Sequence, residues 1–223
     1  MNIAESSNIT FTPSILIKNE IIDYGIHLLS FKRKFDFIPG QVIAITSEFT
    51  IEPRLYSIAS GMNDSILRIL FDIKPEGILT NKMAALKPGE FLHLSNPIGS
   101  FTCNKESATW IAAGTGIAPY ASMFYSGLSE NKTLIHGGKS LNSFYFKSDF
   151  IRVMGERYIR CCSKEVGDGV HPGRLTDYLK NLTYIEPDQV YYLCGSAEMI
   201  VETREILIEQ GVPFEKIMAE IYF

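Results

Sequence analysis

Cysteine is scarce in this 223-residue chain: Cys103, Cys161, Cys162 and Cys194 are all there is, two of them adjacent and none in CxxC spacing. That is a poor basis for a zinc or iron–sulfur site and for a disulfide framework, so no metal site is expected. Any redox cofactor must then be organic or belong to a partner. Long apolar runs are missing too. None approaches the ~20 residues needed to span a bilayer, so no membrane span is expected. The opening MNIAESSNIT lacks a basic start followed by an apolar stretch, so no secretory signal is visible and a cytoplasmic location is expected. Nor is there an excess of positive charge. A formal net charge of −4 removes the general electrostatic case for nucleic-acid binding. The one local exception, Lys32-Arg33-Lys34, reads as a solvated strand edge kept soluble by charge. A docking patch for an acidic protein is the sharper alternative.

What is present is an ordinary globular composition, 46% hydrophobic and 21% charged, over a length that suits one large domain or two modest ones. The pattern changes near residue 105. Before it, short β-rich runs at 15–17, 26–31, 41–45, 55–59, 67–73 and 91–94 are punctuated by Gly40, Pro53, Gly61, Pro88-Gly89 and Pro97. That spacing predicts an antiparallel barrel or sandwich, with one helix over about 80–86. After residue 105, strands at 109–113, 133–136, 158–162 and 190–194 are each followed by a helical pattern, which implies crossover units and a parallel sheet. The clearest helix is 197–210, with Ser196 as N-cap and Gly211 closing it. A last strand runs over 217–222. The fold class expected is an all-β domain over residues 1–104 followed by an α/β domain over residues 105–223.

Four constellations carry chemistry. In Arg54-Leu55-Tyr56-Ser57, strand alternation puts Arg54 and Tyr56 on one face, where a cation and an aromatic could hold a phosphate and cover a flat ring. Exposed strands also alternate in this way without a ligand. Gly77-Ile78-Leu79-Thr80 opens the helix of the first half. A helix start offers unpaired N–H groups and partial positive charge to a phosphate, Gly77 allows close approach, and Thr80 could cap or bind. A simple N-cap is the plainer account. Gly114-Thr115-Gly116-Ile117-Ala118-Pro119 follows a strand directly, as the pyrophosphate-binding turn of open α/β sheets does. Pro119 replaces the usual third glycine and suits a first helical turn. Finally, Cys194-Gly195 lies at the carboxyl end of a strand, beyond which ligands bind in such sheets, although a buried cysteine can also be a small hydrophobe.

In their order and spacing these segments, with Pro97-Ile98-Gly99-Ser100-Phe101, resemble the ferredoxin–NADP reductase family over nearly the whole chain. The resemblance implies a flavin-binding barrel, a nicotinamide-binding α/β domain and a flavoprotein oxidoreductase. Arg54 would contact flavin phosphate, Tyr56 would pack on the isoalloxazine and Ser57 would bond near flavin N5, with Leu55 in the same strand. The turn from Gly77 through Leu79 to Thr80 would hold the rest of the phosphate bridge, favouring FAD over FMN, with Lys74 near the flavin or its ribose. Gly114, Thr115, Gly116 and Pro119 would form the pyrophosphate turn, with Cys194 and Gly195 beside the nicotinamide.

The ending Glu220-Ile221-Tyr222 resembles the family's Glu-x-Tyr, where the tyrosine covers the flavin and the glutamate assists nearby. Phe223 follows, so either Tyr222 or Phe223 would cover the ring. Ser163-Lys164-Glu165 resembles the family's Ser-Arg-Glu grip on a 2′-phosphate. With Lys139 and Arg174 it favours NADP(H) over NAD(H), although lysine lacks the bidentate fork of arginine. The implied activity is hydride exchange between NADP(H) and flavin N5, with Ser57, Cys194, Glu220 and Tyr222 around the reacting atoms and ferredoxin or flavodoxin as the one-electron partner. A reductase of free flavin is the main alternative. A subunit with its own iron–sulfur centre fits poorly, because no cysteine follows Cys194, and a flavin- or nucleotide-binding sensor lies outside catalysis.

Overall fold

The computed structural model describes residues 9–222. The chain divides into two compact units between Thr102 and Cys103. The first contains six strands, β1 (Phe11–Asp23), β2 (Ile26–Lys32), β3 (Val42–Thr46), β4 (Arg54–Ser57), β5 (Ile66–Asp72) and β6 (Phe91–Ser95), with helix α1 (Ile78–Ala85) between β5 and β6. All strand pairs are antiparallel, in the order β4-β3-β6-β1-β2-β5. The two end strands also meet: Ile58 bridges Ile69, and the Ala59 amide donates to the Arg68 carbonyl at 2.8 Å. Closing the sheet in this way removes its open edges. Inside lie Leu16, Leu29, Phe31, Ile43, Ile69 and Leu94.

The run at 15–17 proves to be a small part of the 13-residue β1. Its first half pairs with β6 and its second with β2, and the register shifts between Leu16 and Lys18 and again between Ile21 and Asp23. Those irregularities break the period-two pattern that sequence reading depends on. Helix α1 starts two residues before the expected 80, because Gly77 rather than Thr80 is its N-cap residue and no side chain caps it.

The second unit is a parallel sheet of β7 (Ala108–Ala113), β8 (Lys132–Gly138), β9 (Tyr158–Cys162), β10 (His171–Pro172), β11 (Val190–Ser196) and β12 (Ile217–Tyr222). Its order is β10-β9-β8-β7-β11-β12. The chain therefore builds outward from β7 to β10 and then returns to β11 on the other side of β7. That reversal between β7 and β11 is the topological switch point, beyond whose carboxyl ends ligands bind in such sheets. Helices α2 (Ala118–Tyr125), α3 (Lys147–Met154), α4 (Leu175–Lys180) and α5 (Ala197–Glu209) complete the unit.

Burial on both faces explains the nearly continuous apolar run of β7. Ile111, Ile135 and Leu193 pack with Leu179, Ile206 and Leu207 of α4 and α5. On the strands' other side Trp110 stacks on Tyr120 of α2, centroids 5.5 Å apart. The Tyr120 hydroxyl is buried 2.7 Å from the Tyr192 carbonyl of β11 and 3.2 Å from the Ile111 carbonyl of β7, tying α2 to both strands of the switch point. Ser196 caps α5 by accepting from the Met199 amide, and Gly211 follows the helix at φ +92°. The buried Lys132 ammonium donates to the Glu106 carbonyl and lies 6.0 Å from the Trp110 ring centre.

Candidate active site

In the first unit β4 ends in a graded burial: Arg54 exposed, Leu55 and Tyr56 half-buried, Ser57 buried. Arg54 forms an ion pair with Glu52 at 2.8 Å, so an anion would compete for it. Tyr56 meets Phe71 of β5 edge-on, with centroids 6.2 Å apart, and burial holds its phenol well above the ordinary tyrosine range. The ring is therefore a neutral, apolar face. At α1 the amide of Lys74 donates to the Thr80 hydroxyl at 3.1 Å, so Thr80 closes its own turn instead of capping the helix. A Cβ on Gly77 would come within 2.7 Å of that hydroxyl and 3.0 Å of the Lys74 Cβ, which is why the turn needs glycine. Leu79 is buried beneath, while the Lys74 ammonium pairs with Asp72 at 2.9 Å. The result is a helix start with no side-chain cap hydrogen bond, its preceding carbonyls bonded by the Asn81 amide.

In the second unit the turn after β7 is a 3-10 segment, Gly114–Ile117, continuing into α2, so helical winding begins before Pro119. Gly114 has φ +56°, a left-handed conformation that favours glycine, and the space where its Cβ would stand is open. Gly116 is tighter. A Cβ there would stand 2.3 Å from the Cys194 carbonyl oxygen and 2.8 Å from the Gly195 nitrogen. A Cβ on Gly195 would meet the Met199 methyl at 2.5 Å. The two segments singled out by sequence thus touch backbone to backbone at the switch point. Across the strands, Cys194 is in register with Ala112 of β7 and with Glu220 of β12, which puts Cys194 and Glu220 at one level of the sheet. Tyr222 pairs with Ser196 through the backbone, and Phe223 lies outside the described residues. Open space above a glycine turn at a helix start is what a dinucleotide pyrophosphate requires, and the arrangement fits one.

The sequence-derived cation cluster is rearranged. The Lys164 amide donates to the Lys139 carbonyl at 3.2 Å and the Ser163 amide to the Gly138 carbonyl at 3.0 Å, which brings Lys139, Ser163 and Lys164 together beyond β8 and β9. Neither lysine ammonium forms an ion pair among the described residues. Arg174 differs, being held by Glu198 at 3.2 Å and Glu202 at 3.0 Å of α5. Glu165 is occupied by the Leu141 amide at 2.7 Å. In the first unit the basic run at 32–34 is also partly spent locally. Arg33 bonds Asp36 and the Asp64 and Phe35 carbonyls, and Lys34 bonds the Pro13 carbonyl.

Sequence reading assigned no role to His136. The structure buries it completely in β8, in register with Ala112, with Nδ1 3.0 Å from the Tyr158 hydroxyl and the ring against the Gly114 backbone. Burial pushes this imidazole from its ordinary 6.5 down to about 3, with the nearby Arg160 charge acting in the same direction. A neutral ring therefore lies against the Gly114 turn. Its only signal in sequence is a polar residue inside an apolar strand.

Comparison with known proteins agrees with this geometry. Residues 110–205 match the oxidoreductase NAD-binding domain. Over 96% of this chain and 99% of the other, the structure superposes on a ferredoxin–NADP reductase from Neisseria gonorrhoeae with bound FAD and NADP, at a TM-score of 0.86 and 20% identity. By sequence, the chain is 26% identical over 197 residues to the toluate 1,2-dioxygenase electron transfer component of Pseudomonas putida, covering 79% of this chain and 56% of that protein. It is 27% identical over 165 residues to one component of the Na(+)-translocating NADH-quinone reductase of Methylococcus capsulatus, covering 66% of this chain and 40% of that one. The chain therefore spans about half the length of these relatives or less. The chain thus carries a match to an oxidoreductase NAD-binding domain, and its two-domain fold is that of the ferredoxin–NADP reductase-like flavoproteins. No helix among the described residues is long and apolar enough to cross a membrane.

Two expectations follow. Gly116→Ala, by forcing apart the Cys194–Gly195 backbone, should weaken nicotinamide nucleotide binding by at least about tenfold and lower stability by about 1–3 kcal/mol. Calorimetric nucleotide titration and urea unfolding would check both, and unchanged affinity would contradict the account. His136 titrates lower in the folded than in the unfolded chain, so its contribution to stability is complete above pH 6.5 and is lost as pH falls toward 3. The loss approaches about 1.4 kcal/mol per pH unit below 6.5. Urea midpoints measured from pH 7.5 to 5 should fall more steeply for the native chain than for His136→Phe.

Proposed function

We propose that the chain is an FAD-containing reductase that takes hydride from NADPH and passes electrons singly to a ferredoxin or flavodoxin. The observation that carries this reading is the contact between the Gly114–Gly116 turn and Cys194-Gly195, a cradle that side chains larger than glycine would fill. In it the turn and the start of α2 bind pyrophosphate, and the backbone at Cys194-Gly195 seats the nicotinamide. In the first unit the helix start at Gly77–Thr80 and Arg54 bind flavin phosphate, with Lys74 beside them once it exchanges Asp72 for the ligand. Tyr56 gives an apolar face to the isoalloxazine, and Ser57, buried at the end of β4, positions a hydroxyl at the reacting edge. In the second unit Glu220 of β12 stands level with Cys194, beside the nicotinamide seat. When bound, FAD supplies the conversion of a two-electron hydride donor into one-electron steps, while the protein orients the reactants.

NADPH as the preferred donor rests on Lys139 and Lys164, two cations brought together with their ammoniums free for a 2′-phosphate. Arg174 is withdrawn by its acidic partners. The similarity to an NADH-quinone reductase component points the other way, toward NADH. Rapid mixing of the FAD-loaded chain with each nucleotide separates these. Lys139→Ala/Lys164→Ala should raise the NADPH half-saturation about tenfold or more and leave that for NADH nearly unchanged, whereas Ser57→Ala should slow flavin reduction about a hundredfold at saturating nucleotide. Equal loss for both nucleotides would remove the 2′-phosphate assignment, and an unaffected rate in Ser57→Ala would remove the role of that hydroxyl.

A further inference from the structure

Helix α1 carries its candidate phosphate site at one end and an unusual anchor at the other. Short helices commonly close on a left-handed glycine, which satisfies their last carbonyls. Here Leu86 follows α1 in an extended conformation. The last carbonyls are met by one side chain from β1: Asn19 Nδ2 lies 3.0 Å from the Ala84 carbonyl, 3.0 Å from that of Leu86 and 3.4 Å from that of Met83, which also accepts from the Leu86 amide. The amide is itself oriented. Its Oδ1 lies 2.7 Å from His27 Nδ1 across the β1–β2 hairpin. Because an amide oxygen only accepts, His27 donates, and that fixes both the Asn19 amide and the His27 tautomer.

His27 is buried, and its ring stacks on Phe71 with centroids 5.5 Å apart and planes 27° apart. Phe71 in turn meets the Tyr56 ring edge-on. The half-buried Asn19 and the buried His27 thus connect the far end of α1 to the aromatic face of β4. We propose that Asn19, held by His27, is a positioning residue for flavin binding, which sets the axis of α1 so that its first-turn amides point at the flavin phosphate. The proposal rests on the flavin reading above. A helix of eight residues has little rigidity of its own, so freeing its C-terminal carbonyls lets the whole element tilt and misdirects the donors at Gly77–Thr80.

The test compares FAD with riboflavin, which has the same ring system and no phosphate, by fluorescence titration of the full chain. Asn19→Ala should raise the Kd for FAD about tenfold and leave that for riboflavin within about twofold. His27→Phe keeps a ring against Phe71 but removes the donor that orients Asn19, so it should shift FAD affinity the same way by a smaller factor. It is also the second variant should Asn19→Ala not fold. Parallel weakening of both flavins, or an unchanged FAD Kd in both variants, would overturn the proposal and leave Asn19 a general structural cap. Failure of the unsubstituted chain to bind either flavin would instead overturn the flavin reading itself.

Discussion

The second unit depends on one close approach: the backbone of Gly116 against the carbonyl of Cys194 and the amide of Gly195. The two segments come from strands adjacent in the sheet and far apart in the chain, β7 and β11, and only a residue without Cβ lets them touch. Parallel pairing of Tyr192 with Trp110 and of Cys194 with Ala112 brings the strands to this point in register. The Tyr120 hydroxyl between the two strands holds α2 over the same place. The topology supplies a crevice there because the strand order reverses between β7 and β11. His136 lies beneath the Gly114 turn beside that contact, and Glu220 stands one strand away from Cys194.

The first unit solves a related problem with different means. Its barrel is closed, so it has no free sheet edge to offer. The polar groups available to an anion come instead from the start of α1 and from the exposed end of β4. Both elements are short, and both are steadied from behind by side chains, the half-buried Asn19 and buried His27 for the helix and buried Phe71 for the strand. Short elements presented by a rigid wall are well suited to binding, because donors are pre-aimed and little order is lost on association.

Much of this was legible in the sequence, for physical reasons that differ by residue. The strand–glycine–helix pattern at 108–125 and the Ser196 cap are local, so their backbone conformations follow from adjacent residues. The strand at 54–57 was likewise visible in four residues, although its burial is graded along the strand and does not alternate. Other features depend on chain segments that meet only in three dimensions. Most of β1 was missed because its pairing changes partner midway through bulges. The capture of Arg174 by Glu198 and Glu202 requires α5 to lie beside α4, which no spacing reveals. From its position in sequence Thr80 could either cap the helix or bind a ligand, whereas its hydroxyl accepts from the Lys74 amide, a partner that no spacing reveals. Asn19 and His136 are polar residues within strands whose partners lie 65 and 22 residues away, and nothing local marks them.

The central claim is that one chain binds both a flavin and a nicotinamide nucleotide and moves hydride between them. The most direct measurement is an anaerobic titration of the purified, FAD-loaded protein with NADPH and, separately, NADH, following the flavin absorbance. The account predicts stoichiometric bleaching of the flavin band, with NADPH acting at the lower concentration. A chain that retains no flavin, or a bound flavin that neither nucleotide bleaches, would contradict it.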